Sequence, residues 1–145
     1  MRFLLFDRVT TIEPGQRIVT VKCFSIQDEH LKEHFPRRPV VPGAMVLEAL
    51  LQTVGWLIIR THEYRFLPLF TMLEDFTATP DLGPGIQLEI EGELLNTNPK
   101  GSMGRATARV NGVVVASVAR VLFAHFPAPD PEGLRTTFQV YGSFA

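Results

Sequence analysis

Apolar residues fall along this chain in two contrasting patterns. From Ala44 to Ile59 they run almost without a break among good helix formers, and Pro42 and Gly43 just ahead suit a helix start while being poor in its interior. The run predicts one long helix, roughly 25 Å at about 1.5 Å per residue, apolar on nearly every side and therefore wrapped by other structure. Only Glu48 and Gln52 interrupt it. Four apart, they lie one above the other on one face, with Gly55 following on the same stripe.

Elsewhere the pattern is that of strands and turns. Leu4 to Thr11 is a short apolar opening, and Glu13-Pro14-Gly15-Gln16 is a turn with Pro second and Gly third. Arg17 to Ser25 is rich in β-branched residues and predicts a strand; Asp28 to Glu33 predicts one short helical turn. Phe66 to Phe76 reads as a buried strand bent at Pro68. In Ile86 to Leu95, Ile86, Leu88, Ile90 and Leu94 alternate with Gln87, Glu89, Glu91 and Glu93, so one face meets a core and the other water. A polar loop is expected from Asn96 to Ser102, then a strand from Gly104 to Val110. Asn111-Gly112 signals a type I′ hairpin into Val113 to Ala124, which is apolar on both faces, as for a central strand or an interface. The sum is an α+β arrangement, an antiparallel sheet curled around one helix. Residues 1–126 make that domain, and 127–145 read as a Pro-rich C-terminal arm, extended or partly disordered, with Phe138, Tyr141 and Phe144 isolated in it.

Composition narrows the function classes. With 145 residues there is room for one domain with a sizeable core. Net charge is −1 with acids and bases interspersed, which argues against nucleic acid or an anionic membrane surface as partner. A membrane span is not expected either: the uninterrupted apolar run is short of the roughly 18–20 residues needed and carries Glu48 and Gln52. The single cysteine, Cys23, implies a reducing compartment, and the apolar run within Met1–Asp7 is too short for a signal peptide's core, so a cytoplasmic protein is expected. His30, His34 and His62 match no zinc spacing, and no phosphate-binding glycine fingerprint is present, so neither metal nor cofactor is expected.

The candidate chemistry sits where the loop meets the helix. A carboxylate in a buried helix costs several kcal/mol unless paired, hydrogen-bonded or protonated, which singles out Glu48. Its burial is expected to raise its pKa and suit it to an acid role. Just upstream, His34 lies in a loop stiffened by Pro36, Pro39 and Pro42. A stiff loop bearing an imidazole, aimed at a helix bearing a carboxylate, can position an acid/base pair. The plainer readings are a surface or capping histidine and a glutamate paired with a strand arginine.

The stretch His34-Phe35-Pro-x-x-Pro-x-x-Pro42-Gly43, followed by Leu47-Glu48-Ala49-Leu50-Leu51-Gln52, resembles the signature of the 3-hydroxyacyl-acyl carrier protein dehydratases. The likeness extends upstream through Leu5–Val9 and Ile12–Gly15 and downstream to about Phe126, and Glu at position 48 is similar to the FabZ type rather than the FabA type. Where the family usually has Gly on both sides of the His-Phe-Pro core, this chain has Glu33 and Arg37. The resemblance implies a hotdog fold and removal of water from a 3-hydroxyacyl thioester in fatty-acid, polyketide or polyene synthesis. In that family His34 would be the base, Glu48 the acid, the backbone N–H groups of Gly43 and Ala44 the donors to the thioester oxygen, and Gln52 the residue that holds Glu48. It further implies a homodimer with each site shared between subunits, dimers that assemble into a trimer of dimers, and an acyl carrier protein as partner. Arg37 and Arg38, with Arg60, Arg65 and Lys100, are candidates for carrier docking, a solvated charge being the plainer reading of each. A thioesterase on the same scaffold and a non-catalytic acyl or carrier-protein binder are the alternatives.

Overall fold

A computed structural model describes residues 4–142. Six strands form one antiparallel sheet: β1 (Arg8–Glu13), β2 (Arg17–Phe24), β3 (Phe66–Ala78), β4 (Ile86–Asn98), β5 (Gly101–Val110) and β6 (Val113–Pro127), in the order β1-β2-β4-β5-β6-β3. The long helix α1 (Gly43–Thr61) lies against it, and a second helix, α2 (Pro131–Gly142), follows β6. This is the expected α+β, hotdog arrangement.

The apolar run became α1 because almost every side of it meets something. Val46, Ala49, Leu50, Val54, Leu57 and Ile58 pack in the interior with Leu88, Ile90, Ala106, Ala108, Val118 and Val121 of the sheet and Ile18 of β2. Each fully buried large side chain contributes about 1.5–3 kcal/mol. Small residues let the helix close onto β4 and β5: a Cβ on Gly104 would sit 2.8 Å from Val54 Cγ1, and one on Gly92 would sit 3.2 Å from Val54 Cγ2. One polar pair is sealed inside. Thr53 in α1 donates to the Ala49 carbonyl at 2.9 Å, so the proton in its 2.8 Å bond to Thr20 of β2 comes from Thr20. Long and apolar enough by itself to cross a membrane, α1 is for the most part buried within the domain.

The turns follow their chemistry. Gly15 takes φ +82° with Gln16 N–H bonded to the Glu13 carbonyl at 2.9 Å, and Asn111 and Gly112 take φ +50° and +80°, as a type I′ hairpin requires. The short helical turn is a single 3-10 turn at Glu29–Leu31.

Three expectations need correction. The loop at Asn96 to Ser102 is shorter, because Asn98 Oδ1 accepts from Lys100 N–H at 2.8 Å and turns the chain at once, letting β4 run to Asn98 and β5 start at Gly101. The strand from Phe66 exists, with a bulge between Phe70 and Met72, but it is not buried. It pairs with β6 alone as an edge strand, where Pro68 is tolerated, and leaves Leu69 47%, Phe70 46% and Met72 52% exposed. The third concerns the tail, which is neither extended nor detached. Pro131 starts α2 behind Asp130, whose Oδ1 accepts from Gly133 N–H at 2.9 Å. Phe138 is buried with its ring 5.9 Å from Trp56 and 6.2 Å from Tyr64. Phe144 lies outside the described residues.

Candidate active site

The loop carrying His34 is tied down by its own backbone. Val40 N–H donates to the His34 carbonyl at 2.7 Å, Phe35 and Arg38 exchange bonds at 3.1 and 3.0 Å, and Val41 N–H reaches the Leu82 carbonyl at 2.7 Å. The His34–Phe35 peptide is cis, and the two rings stack at 4.8 Å. Neither Glu33 nor Arg37 has a positive φ, so this loop holds its path without glycine at either position. His34 Nδ1 lies 2.9 Å from the Val40 carbonyl. A carbonyl only accepts, so Nδ1 carries the ring proton and Nε2 of the neutral imidazole keeps a lone pair.

Glu48 is oriented by a matching chain of one-way bonds. Leu5 N–H, which can only donate, bonds Gln52 Oε1 at 2.8 Å; that fixes the amide, and Gln52 Nε2 donates to Glu48 Oε1 at 3.0 Å. The helical spacing of the two residues puts this bond within reach. Glu48 is half-buried rather than sealed in the helix, because it opens onto a cavity of about 280 Å³ lined by Gln52, Gly55 and Trp56 of α1 and by Leu67 to Phe70 of β3.

Between the two, Gly43 and Ala44 open α1 at the surface. The first helical bonds, from Met45 and Val46 to the Pro42 carbonyl at 2.9 and 3.2 Å, begin after them, and Pro42 offers no side-chain cap. Their N–H groups point outward at the positive end of the helix, and a Cβ on Gly43 would meet nothing within 4 Å. Such donors suit a developing oxyanion.

What one chain does not do is join these parts. Among the described residues, no hydrogen bond or ion pair links His34 to Glu48, and nothing from the 34–44 segment lines the Glu48 cavity. Of the docking candidates, Arg38 is engaged by Asp81, whereas Arg37 is exposed with no ion pair among the described residues. Arg65 is exposed and its Nε donates to the His62 carbonyl at 3.1 Å. Leu5 N–H and the Val40 carbonyl were not legible beforehand, since backbone groups carry no signature in a sequence.

A second polar cluster lies away from these groups, beyond the C-terminal end of α1. His62 Nε2, Thr97 Oγ1, Ser102 Oγ and His125 Nε2 form a chain of bonds of 2.7, 2.6 and 2.8 Å, the two imidazoles 5.0 Å apart. Burial, then the Arg65 charge, lowers the His62 pKa below 6.5. Burial, then His62, lowers that of His125 against a smaller opposing pull from the Pro99 backbone.

Comparison with known proteins gives a consistent picture. Residues 1–119 match the FabA-like domain family. A 3-hydroxyacyl-acyl carrier protein dehydratase FabZ of Thioalkalivibrio sulfidiphilus is 39% identical over 122 residues, spanning 79% of this chain and 82% of the relative. Its namesake in Symbiobacterium thermophilum is 34% identical over 134 residues, spanning 92% and 94%. Among solved structures, the dehydratase heterocomplex ApeI:P from Xenorhabdus doucetiae superposes with a TM-score of 0.70 at 16% identity, covering 91% of this chain and 89% of that one, a likeness of fold.

Proposed function

The chain belongs to the FabA-like family of 3-hydroxyacyl-acyl carrier protein dehydratases, and from that membership we propose that it converts 3-hydroxyacyl carrier-protein thioesters to trans-2-enoyl thioesters in fatty-acid synthesis. The observation that carries the reading is a pair of side chains oriented by one-way neighbours: His34 with its Nδ1 proton on the Val40 carbonyl and Nε2 open, and Glu48 with Oε1 accepting from Gln52 and its other oxygen unclaimed by that bond.

The chemistry follows from those assignments. His34 Nε2 takes a proton from the carbon next to the thioester carbonyl, and its ring becomes an imidazolium that Val40 still holds through Nδ1–H. Negative charge moves onto the thioester oxygen, where the N–H groups of Gly43 and Ala44 stabilise it. As the C–O bond at the third carbon breaks, Glu48 supplies the proton that turns the departing hydroxyl into water, and the electron pair from the broken C–H bond becomes the new double bond.

Two copies complete the site in this reading. The Glu48 cavity is bounded by the edge strand β3, with exposed Leu69 and Phe70, and an unpaired apolar edge is a surface that calls for a partner. A homodimer with β3 at its interface brings His34 of one copy to Glu48 of the other, and such dimers can stack further into hexamers. Arg37 is the exposed cation beside His34 that an acidic carrier protein would meet first. The exposed free thiol of Cys23 fits the reducing cytoplasm to which the reading assigns the enzyme.

The test is turnover of 3-hydroxyacyl carrier-protein thioesters followed by mass spectrometry, wild type beside Glu48→Gln. Enoyl product that falls by about 10²–10⁴ in the variant is expected for loss of a positioned acid. A folded wild type that releases free carrier protein without enoyl product would instead be a thioesterase.

A further inference from the structure

Behind the Glu48 cavity lies a second and larger one, about 400 Å³, within the range of roughly 300–1,000 Å³ typical of ligand sites. Its walls come from three separate parts of the chain: Leu4 near the amino terminus, Trp56 on α1 with Leu67 at the start of β3, and Leu134 and Thr137 on α2. Gln52, Trp56 and Leu67 line both cavities. Glu48, Gln52 and Trp56 are successive positions on one face of α1, so a chain laid along that face from the acid to the indole covers about 12 Å.

We propose that the second cavity receives the far end of the substrate's acyl chain and that α2, Leu134 foremost, sets how long a chain the enzyme accepts. The proposal rests on the dehydratase reading and adds to it an element that lies outside the family match at residues 1–119. The occupant is argued from continuity and chemistry. The cavity adjoins the acid through shared walls, and its inner surface is dominated by Leu4, Trp56, Leu67 and Leu134. Its polar members already spend hydrogen bonds within the chain: Asp130 accepts from Gly133 N–H at 2.9 Å, Thr137 donates to the Gly133 carbonyl at 2.9 Å, and Gln52 is engaged with Leu5 N–H and Glu48. An apolar chain fits such a lining better than a charged or hydroxylated one. α2 is held firmly enough to act as a wall, since Phe138 is buried against Trp56 and Tyr64.

The experiment compares kcat/KM for 3-hydroxybutyryl, 3-hydroxyoctanoyl and 3-hydroxydodecanoyl carrier-protein thioesters in wild type, Leu134→Trp and Leu134→Ala. Filling the cavity is expected to lower the dodecanoyl-to-butyryl ratio by about tenfold or more, and emptying it to raise that ratio, since a methylene's worth of pocket changes discrimination by roughly 10–200-fold. Shifts of opposite sign from one position cannot come from partial unfolding, which scales every substrate alike. A ratio that stays put in both variants of an active enzyme overturns the role of α2 and leaves the dehydratase standing. No enoyl product from wild type at any chain length overturns both. A second arm needs no turnover or variant at Leu134: Trp56 is the one tryptophan in the chain, so its emission in Glu48→Gln should shift on titration with dodecanoyl-pantetheine and not with acetyl-pantetheine. Equal or absent responses overturn the proposal.

Discussion

Mixing two inactive variants tests whether the site spans two copies. His34→Ala removes the proposed base; the ring bonds the Val40 carbonyl and stacks on Phe35, both local to the loop, so the fold should persist. Glu48→Gln keeps an oxygen for Gln52 to donate to and removes the proton donor. Each alone should lose about 10²–10⁴ in enoyl formation, a barrier rise of roughly 3–5 kcal/mol. In a two-fold dimer, a His34→Ala chain still carries Glu48 and a Glu48→Gln chain still carries His34. A mixed dimer therefore has one site with both groups and one with neither. Random reassociation makes half the dimers mixed with one working site of two, so the mixture should recover about a quarter of wild-type turnover. If both groups of a site came from the same chain, mixing would restore nothing, and activity would stay at the parents' level of about one per cent or less. The assay is enoyl formation by mass spectrometry after joint refolding or co-expression, with separately refolded variants as the baseline. A mixture no more active than its parents would refute the shared site.

Two further outcomes bear on the scaffold. Gly104→Ala puts a methyl 2.8 Å from both the Glu93 carbonyl and Val54, so it should destabilise by about 1–3 kcal/mol and lower Tm by several degrees in a thermal melt, whereas Gly83→Ala, which meets nothing within 4 Å, should not. His62 and His125 both have folded pKa values below the ordinary 6.5, so the unfolded chain takes up protons first; stability is full above pH 6.5 and should fall as the pH drops below it towards the depressed folded values. Denaturant midpoints measured from pH 7.5 down to 5 should show that loss, and His125→Gln should flatten it; a slope unchanged in the variant would remove His125 from the account.

The parts legible in the sequence were those governed by local periodicity. Glu48 and Gln52 stand four apart in a helical run, which places them on one face whatever surrounds them, and Asn111-Gly112 demands its turn through its own backbone. What escaped depended on the rest of the fold or on weighing one local cue above another. In the tail, three prolines suggest an extended or partly disordered arm. Yet Asp130-Pro131 is a helix start, and Leu134, Phe138 and Tyr141 repeat at a spacing of four and three, one face of a helix. The tail aromatics taken as isolated include two that share a surface, since Phe138 belongs to the cluster around Trp56 and Tyr141 packs against it.

The strand from Phe66 carries the sharper lesson. An apolar run says that water is unwelcome there, and burial within the chain was the natural inference, but position in a sheet is a property of topology, and β3 pairs on one side only. The apolar demand therefore outlives folding of the single chain. Leu69 and Phe70, left half exposed by it, are also walls of the cavity into which Glu48 opens, while His34 faces elsewhere with its proton already assigned. In the proposed reading the unmet burial and the missing base fall to the same second copy: a partner that covers β3 would come within reach of Glu48, and a chain that carries an imidazole on a stiff loop would need only two-fold symmetry to bring it there.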